Sequence, residues 1–437
     1  MDTQPLTIHP WPRAIMHIDA DAFFSSCEQA IHPELRGRPV VTGKERGIIA
    51  AASYEAKAMG VKRGMRLFDA KRVCPGLVIL PSDYETYSLF SIRIFEILRR
   101  FSPDVEEYSI DEAFVDLTGL RRSFHGSYGD ISGKIQAAIW EELGISVSIG
   151  VSLTKVLAKM ASKYKKPGGL TLVPGTEIHR YLFSLPLGEV WGIGPNTSAF
   201  LKKFGITTAL EFTRRDEGFI KNHLSKPYQE IWHELNGRSV YPVVVESKRD
   251  YQSISKTKTF TPPSGNEPFI FAQLSKNLEN ACIKARRHSL QATRLIILLR
   301  GQDFKDTGIE IKLTRPTSYP AELLEPLRKG FNYIYRPNTL YRLTGIILSD
   351  LIPDKNIQRD LFDDIVKIGK MVKIYSAIDE LSERFGKHTV QHASSIPANL
   401  HAQHGGERGD TPIRKKELFT GENKRQRLGL PLLDIKV

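Results

Sequence analysis

The chain has 437 residues, of which 41% are hydrophobic and 25% are charged, a composition that indicates a soluble globular protein of about two to four domains. It contains no run of about 18 apolar residues, and residues 1–13 lack the apolar core of a secretion signal. We therefore expect a cytoplasmic protein that does not enter a membrane. Three widely separated cysteines favour a reducing compartment and argue against a zinc site: Cys27, Cys74 and Cys282.

The formal net charge of +13 is unevenly distributed. Residues 245–352 contain 17 Lys and Arg against 10 Asp and Glu, so about a quarter of the chain carries more than half of the excess positive charge. Such a concentration indicates a segment that binds a polyanion such as nucleic acid. The alternative is a charge that only keeps the protein soluble.

Residues 13–166 alternate apolar strands with amphipathic helices. The spacing of apolar residues predicts, in chain order, a strand at 14–20, a helix at 84–101, strands at 105–109 and 113–117, a helix at 130–143, a strand at 145–151 and a helix at 153–163. This β-α-β-β-α-β order, with 29–82 inserted after the first strand and its turn, predicts a split βαβ sheet.

The rest of the chain divides into three parts. Residues 167–235 are predicted to be helical, and 236–250 have the composition of a linker. A second α+β domain is predicted from two helical stretches and three strand-like runs, at 295–299, 309–313 and 343–348. After about residue 353 the periodicity is lost, and we expect a largely flexible tail.

The motifs HIDADAFF and YSIDEAF carry the strongest chemical signal. Alternation along a strand places Asp19 and Asp21 on one face, and Asp111 and Glu112 lie at the turn between two short strands. Grouped carboxylates repel one another unless a cation neutralises them, and ligands that are all oxygen suit Mg²⁺. A pair of such ions can activate an attacking hydroxyl and stabilise a leaving pyrophosphate. The alternative is that these acids cap turns or form surface ion pairs.

The sequence closely resembles the Y-family DNA polymerases, especially their DNA polymerase IV branch. The resemblance covers about 1–240 and is carried by the segments HIDADAFF, ASYEAKAMGVKRGM, YSIDEAFVDL, SIGVSLTKVLAKMASKYKKPGG and VWGIGPNTSAFLKKFGI. It implies an α+β multidomain fold, a right-hand polymerase with a ferredoxin-like palm, small fingers, a helical thumb containing a helix-hairpin-helix element, and an α+β little finger. The implied boundaries are 1–28 and 83–166 for the palm, 29–82 for the fingers, 167–235 for the thumb, 236–250 for the linker, 251–352 for the little finger and 353–437 for the tail.

The resemblance also implies an activity and its ligands. We expect template-directed DNA synthesis of low fidelity that bypasses damaged bases, with primer-template DNA and deoxynucleoside triphosphates as substrates. Two Mg²⁺ ions would be held by the catalytic carboxylates Asp19, Asp111 and Glu112. Asp21 matches a motif position that is not usually a ligand and is left out of this set. We expect the enzyme to act as a monomer.

The nucleotide pocket is implied by five residues. Phe24 matches the steric gate, whose ring would overlap the 2′-hydroxyl of a ribonucleotide, although taken alone it is more typical of a core residue. Phe23 lies beside it in the same pocket. Tyr54, Lys57 and Lys159 resemble the residues that bind the triphosphate, where fixed donors stabilise developing charge. Lys57 stands where the family usually has arginine, so the bidentate fork is lost but the charge is kept.

Two further segments are implied to bind DNA. Gly192 and Gly194 belong to the helix-hairpin-helix element, whose backbone N–H groups would approach a phosphate. A plain helical turn is the alternative. The little finger would add phosphate contacts through Lys256, Lys258, Arg286 and Arg287.

The segment QRDLF after residue 357 resembles the pentapeptide that binds the bacterial sliding clamp, with Gln358 as its anchor and Leu361 and Phe362 filling a pocket. A second candidate is 426–430, which could instead dock on the protein itself. Two other functions remain open. A catalytically inactive, clamp-bound scaffold is opposed by the intact carboxylates, and a nucleotide cyclase on a similar palm is opposed by the elements that would bind duplex DNA.

Overall fold

The computed structural model describes residues 4–245, 251–354, 365–385 and 388–400. These residues fall into two compact units, one formed by 4–245 and the other by the described residues from 251 to 400, and each is treated by itself. In the described part of the chain, no helix is both long enough and apolar enough to span a bilayer.

The first part of unit 1 contains a single long strand followed by a small separate sheet. Its elements are β1 (Ile15–Ala20), α1 (Phe23–Ile31), β2 (Val40–Thr42), β3 (Ala51–Ala52), α2 (Tyr54–Ala58), α3 (Leu67–Val73) and β4 (Val78–Leu80). Strands β2, β3 and β4 form a three-stranded sheet in the order β3-β2-β4, with a core that includes Val41, Ile49 and Val61. The segment predicted as an insertion thus has its own sheet and its own apolar core.

The main sheet of unit 1 is built from β1 and the elements that follow the small sheet. These are α4 (Tyr84–Arg99), β5 (Val105–Glu107), β6 (Glu112–Asp116), α5 (Tyr128–Leu143), β7 (Val147–Ser152), α6 (Lys155–Tyr164) and β8 (Leu170–Leu172). The strand order is β5-β6-β1-β7-β8, and β1 pairs antiparallel with both neighbours. The predicted β-α-β-β-α-β sheet is therefore confirmed, with β8 added parallel to β7 at one edge.

Helices cover both faces of this sheet. Helices α4 and α5 pack with β1 and β7 in one apolar core, and α6 packs directly against the backbone of β7. At Gly150 on β7, an added Cβ would lie 2.2 Å from the backbone nitrogen of Ser162 on α6. Only glycine permits that approach, which fixes α6 and its lysines next to the central strands.

The part of unit 1 that follows β8 forms a helical cluster. The prediction that 167–235 is helical is wrong at its start, because Leu170–Leu172 is a strand of the main sheet. The helices of the cluster are α7 (Ile178–Phe183), α8 (Pro195–Lys202), α9 (Ala209–Thr213), α10 (Glu217–His223) and α11 (Lys226–Leu235). Buried side chains such as Leu201, Phe212 and Trp232 share a core with α6. The helical cluster is thereby packed onto the same helix that covers the main sheet.

Unit 2 is an α+β structure with one sheet. Its elements are β9 (Ser253–Ser264), α12 (Glu267–Arg287), β10 (Leu290–Gly301), β11 (Asp306–Thr317), α13 (Pro320–Ile334) and β12 (Tyr341–Pro353). The antiparallel order is β11-β10-β12-β9, and the core lies between this sheet and helices α12 and α13. Strand β9 was not among the predicted strands, because only Ile254 and Phe260 between Ser253 and Phe260 are fully buried and the intervening residues are polar.

The expectation that the chain becomes irregular after about residue 353 is wrong for part of that range. Unit 2 continues with α14 (Ile365–Phe385) and α15 (Ile396–Leu400). Asp379 on α14 forms an ion pair with Arg286 of α12, and the hydroxyl of Tyr375 accepts a hydrogen bond from the main-chain N–H of Ala321 at 3.1 Å. Several of the large apolar residues of α14 are exposed, among them Val366, Ile374 and Phe385, so they do not define a single buried stripe in the sequence.

Candidate active site

The structure brings the three predicted metal ligands to one end of two adjacent strands. Asp19 on β1 lies directly opposite Glu112 on β6 in the antiparallel register. Asp111 is the last residue of the turn before β6, and its carbonyl oxygen accepts a hydrogen bond from the main-chain N–H of Ala20 at 2.9 Å. Residues that are about ninety positions apart in the sequence are therefore neighbours at this end of the sheet.

Burial and charge act oppositely on the two facing carboxylates. Burial raises the pKa of Asp19 to about 6, against the opposing effect of its ion pair with Lys166. Burial alone would also raise the pKa of Glu112, but the imidazole Nε2 of His17, 3.7 Å away, and the ammonium of Lys159 outweigh it and lower that pKa to about 2. A carboxylate that is costly to ionise thus lies beside one that is held ionised.

The chemistry of this donor set fits a hard divalent cation, because it consists of carboxylate oxygens. In this structure two lysine ammoniums balance the negative charge instead, and the carboxylate of Asp111 accepts a hydrogen bond from the hydroxyl of Ser109 at 2.6 Å. Accordingly, within the described ranges no group of three acidic, histidine or cysteine side chains is arranged to enclose a metal. A divalent ion would have to replace the ammoniums as the counter-charge of these carboxylates.

Asp21 has a different place from the other acidic residues. Its side chain is buried and accepts hydrogen bonds from the hydroxyls of Ser146 and Ser148 and from the main-chain N–H of Gly168, each at 2.8 Å. Ser148 lies on β7, Ser146 directly precedes β7, and Gly168 lies two residues before β8, so the carboxylate joins the end of β1 to the two strands on one side of it. Three hydrogen bonds stabilise the negative charge of the Asp21 carboxylate, an arrangement that is typical of a structural residue.

The two phenylalanines after Asp21 differ in their surroundings. Phe23 is buried and lies against Tyr87 in the main core. Phe24 is half-buried, and its ring stacks on the ring of Tyr87 with centroids 4.6 Å apart and planes 16° apart, while the edge of Tyr84 approaches it at 5.2 Å. The ring of Phe24 is therefore held in place by the two tyrosines and is only partly covered by the core.

Three potential phosphate ligands converge beside Asp21. The hydroxyl of Tyr54 lies 3.5 Å from a carboxylate oxygen of Asp21, and the ammonium of Lys57 lies 4.1 Å from the centroid of the Tyr54 ring. Burial lowers the pKa of Lys57, and the nearby Lys166 lowers it further. Lys166 was not predicted as a site residue. It lies in the segment KYKKPGG, where sequence alone does not distinguish it from Lys163 and Lys165.

Lys159 contacts a different set of residues. Its ammonium forms an ion pair with Glu112 and lies 4.4 Å from the ring centroid of Tyr108 and 5.1 Å from that of Trp191. The side chain is 7% exposed. Lys159 was predicted to bind the triphosphate, and the structure places it as the counter-charge of a predicted metal ligand.

The predicted DNA-binding hairpin lies at the start of α8. Gly194 caps this helix, Pro195 is its first residue, and Gly192 has a φ of +92°. A Cβ at Gly192 would lie 2.6 Å from Cδ1 of Ile231 on α11. The left-handed backbone favours glycine, and the close approach shows that the hairpin packs against α11 with its backbone near the helix start.

The basic residues predicted to bind DNA in unit 2 have unequal positions. Arg287 is exposed at the end of α12, and Lys256 and Lys258 are half-buried on the same face of β9 as Ile254. Arg286 is the exception. Its side chain is 10% exposed, it forms the ion pair with α14, and it donates to the carbonyl oxygen of Ser318 at 2.8 Å, so the prediction that it contacts DNA does not fit its position. The predicted clamp-binding residues Gln358, Leu361 and Phe362, and the segment 426–430, lie outside the described residues.

Comparisons with known proteins agree with this arrangement. The sequence matches the impB/mucB/samB family over residues 18–163 and the C-terminal domain of that family over 251–361. DNA polymerase IV of Dehalococcoides mccartyi is 33% identical over 384 residues, which cover 87% of this chain and 96% of that protein. DNA polymerase IV of Bacillus velezensis is 33% identical over 392 residues, covering 88% and 93% of the two chains.

A solved structure shows the same fold. The Y-family DNA polymerase chimera Dbh-Dpo4(243-245)-Dbh superposes with a TM-score of 0.65 at 25% identity and covers 78% of this chain and 99% of its own. The insertion ternary complex of Dbh DNA polymerase gives a TM-score of 0.53 at 24% identity, with the same coverage.

The chain therefore belongs to the impB/mucB/samB family of Y-family DNA polymerases. It is a DNA-directed DNA polymerase of the translesion class, as members of this family are, and it depends on divalent metal. The predicted family, α+β multidomain fold and polymerase activity are confirmed, and the nucleotide cyclase alternative is excluded.

Proposed function

We propose that Asp19, Asp111 and Glu112 hold two Mg²⁺ ions and are the catalytic residues of template-directed DNA synthesis. The observation that carries this proposal is the register of β1 and β6, which sets Asp19 opposite Glu112 with Asp111 beside the end of β1. When bound, the metals supply a more acidic primer hydroxyl and neutralise charge on the departing pyrophosphate. The intact set of carboxylates supports catalysis over the alternative of an inactive scaffold.

The triphosphate of the incoming deoxynucleotide would bind next to these carboxylates. Tyr54, Lys57 and Lys166 provide a hydroxyl and two ammoniums on one side of Asp21. Fixed positive groups there balance phosphate charge without reorganising as the bond breaks. Lys159, beside Glu112, would act nearer the metal ligands than the outer phosphates.

The sugar of the nucleotide would be selected by Phe24. Its ring is held by stacking on Tyr87 and by the edge of Tyr84, so it cannot easily turn aside from a 2′-hydroxyl. Phe23 supports the pocket from the core side. Discrimination by volume needs a rigid wall, and the aromatic cluster provides it.

The parts of the chain would correspond to the subdomains of a right-hand polymerase. The residues 1–28 and 83–166, which form the main sheet together with β8, would be the palm, and the small sheet of 29–82 would be the fingers. The helices of 167–235 would be the thumb, which holds DNA at Gly192 and Gly194. Unit 2 would be the little finger and would grip primer-template DNA through exposed basic residues such as Arg287, because the excess positive charge of the chain is concentrated there.

Recruitment would depend on the segment after β12. Gln358, Leu361 and Phe362 would bind the bacterial sliding clamp, a proposal that rests on their sequence and on their place directly after unit 2's sheet. We further propose that the enzyme acts as a monomer in the cytoplasm and bypasses damaged template bases with low fidelity.

Primer extension with Mg²⁺ and the four deoxynucleotides, on intact and damaged templates, tests the metal-ligand assignment. Asp111→Ala and Glu112→Gln should each abolish extension while fluorescence anisotropy shows nearly parental affinity for primer-template DNA. Glu107→Gln is the matched control, since Glu107 is an exposed carboxylate on β5 that pairs with Arg99. Normal extension by Asp111→Ala would rule out the proposed site.

A further inference from the structure

The ammonium of Lys159 has two kinds of partner. It forms an ion pair with Glu112, and it lies over the rings of Tyr108 and Trp191, whose planes are nearly perpendicular at 89° with centroids 5.6 Å apart. A cation is attracted to the face of an aromatic ring by the ring's quadrupole. The two rings and the carboxylate therefore form a box around one ammonium, which we call the aromatic box.

The aromatic box joins two distant parts of unit 1. Tyr108 precedes the strand that carries Glu112, whereas Trp191 lies in the hairpin of Gly192 and Gly194 before α8. The ring of Phe114 contacts both, with centroids 5.4 Å from Tyr108 and 5.9 Å from Trp191. The position of the ammonium is thus fixed from the strand side and from the hairpin side.

A metal ligand that is already paired with an ammonium faces a competition. When a divalent ion takes Glu112, the ammonium of Lys159 loses most of its attraction to that carboxylate and repels the arriving ion. An ammonium with no second partner would have to return to water or remain on Glu112. The rings of Tyr108 and Trp191 attract the ammonium of Lys159 without neutralising it, so the ammonium keeps a partner in its position. This lowers the free-energy cost of transferring the Glu112 carboxylate from Lys159 to the metal.

We propose that Tyr108 and Trp191 are positioning residues that keep the ammonium of Lys159 in place while a divalent ion takes over Glu112. The inference rests on the proposed role of Glu112 as a metal ligand. It assigns to the hairpin residue Trp191 a part in metal binding that is separate from holding DNA.

The test is a titration with Mn²⁺, in which the electron paramagnetic resonance signal of the free ion measures how much metal remains unbound. The full chain is bound to a dideoxy-terminated primer-template and a non-hydrolysable deoxynucleotide analogue. Trp191→Ala and Tyr108→Ala should each weaken Mn²⁺ binding measurably and by at most about fivefold, since a whole cation–π contact is worth roughly 0.5–1 kcal/mol and part of it is already present beside the ion pair with Glu112. Trp140→Ala is the matched control, since Trp140 is 53% exposed on α5 and should give parental affinity.

A double-mutant cycle distinguishes an effect of the aromatic box on Lys159 from a nonspecific disturbance of the metal site. In a Lys159→Met background the competing ammonium is gone, so Trp191→Ala should no longer shift the Mn²⁺ affinity. A shift of the same size in that background would overturn the proposal, as would parental affinity in both single variants. A loss of DNA affinity by Trp191→Ala without any change in Mn²⁺ binding would also overturn it, because Trp191 would then serve only to hold duplex.

Two further measurements control for misfolding of the variants and for the assignment of Glu112 as a metal ligand. Tyr108 is 43% exposed, so Tyr108→Ala should keep the parental melting temperature and decides the matter if Trp191→Ala does not fold. Glu112→Gln distinguishes the two levels of inference. If it binds Mn²⁺ and extends primers like the parent, the proposed function fails; if it loses both while the aromatic variants remain parental, only the aromatic box is refuted.

Discussion

Arg286 on α12 and Asp379 on α14 form a bidentate ion pair, with both nitrogen–oxygen distances at 2.7 Å. The guanidinium also lies 4.8 Å from the centroid of the Tyr375 ring. These contacts attach α14 to α12 within unit 2. They use Arg286, which the sequence analysis predicted to contact a DNA phosphate.

We therefore predict opposite effects for two adjacent arginines. Arg286→Ala should lower the free energy of unfolding by roughly 1.5–3 kcal/mol, because it removes charge-assisted hydrogen bonds, and should leave DNA affinity nearly unchanged. Arg287→Ala should leave urea unfolding unchanged and, for each lost phosphate contact, reduce the slope of log affinity against log salt concentration by about 0.9. Anisotropy titrations at several salt concentrations provide this slope. Weaker DNA binding by a fully stable Arg286→Ala protein would contradict the structural role.

A second prediction concerns Asp21. Asp21→Ala removes a buried acceptor from the hydroxyls of Ser146 and Ser148 and the main-chain N–H of Gly168, and should lower the free energy of unfolding by about 1–3 kcal/mol, because only Ser148 among these donors is fully buried. Urea unfolding followed by circular dichroism measures the loss. Asp303→Ala, on an exposed turn of unit 2, serves as the control and should change stability by less than about 0.5 kcal/mol. An Asp21→Ala protein that is as stable as the parent but inactive would instead assign Asp21 to the active site, as a metal ligand or through its contacts with Tyr54 and Lys166.

A third prediction separates the neighbouring phenylalanines. Phe24→Ala should incorporate ribonucleotides far better than the parent, since it removes the ring that would overlap a 2′-hydroxyl, with only a modest loss of stability. Phe23→Ala should cost roughly 3–5 kcal/mol of stability, because it opens a cavity in the main core, and should keep the parental sugar selectivity where it folds. Single-nucleotide insertion with paired deoxy- and ribonucleotides measures selectivity. Unchanged selectivity in Phe24→Ala would return Phe24 to a core role.

A fourth prediction concerns the sliding clamp. Replacing Leu361 and Phe362 with Ala should leave unassisted extension of a short primer intact and remove stimulation by the clamp, because a tether raises the effective concentration of the enzyme at the primer end without a new DNA contact. Surface plasmon resonance with immobilised clamp gives the direct affinity. If the double variant bound the clamp with parental affinity, the assignment of Leu361 and Phe362 would be wrong, and 426–430 would be the next candidate for the clamp-binding segment.

The elements that sequence analysis found are those with strong local patterns. Strand β1 is a short, nearly continuous buried run, helix α4 has apolar residues at helical spacing, and the two acidic motifs lie on or beside strands. Strand β9 was missed because an edge strand that buries one face lightly tolerates Ser, Thr and Lys in alternation. Local composition is a weak guide where a strand is stabilised by its neighbour rather than by its own burial.

The errors at the site have a different cause, which is the distance along the chain between partners. Lys166 contacts Asp19 across 147 residues, and Arg286 pairs with Asp379 across 93. A sequence shows that these side chains are charged but not which opposite charge each one meets. The roles of Lys159 and Lys166, separated by seven positions, could be told apart only after the turn that follows α6 had been located.

The register of Asp19 and Glu112 has a consequence for synthesis of the protein on the ribosome. Strand β1 is made early, but both of its neighbours, β6 and β7, come later, and β7 ends only at Ser152. The nascent chain must close a loop of about ninety residues, at an entropic cost that grows with the logarithm of loop length, before the carboxylates can meet. A translation product that ends between Asp116 and Val147 would contain all three acidic residues but lack β7, the other neighbour of β1, so such fragments should carry no polymerase activity.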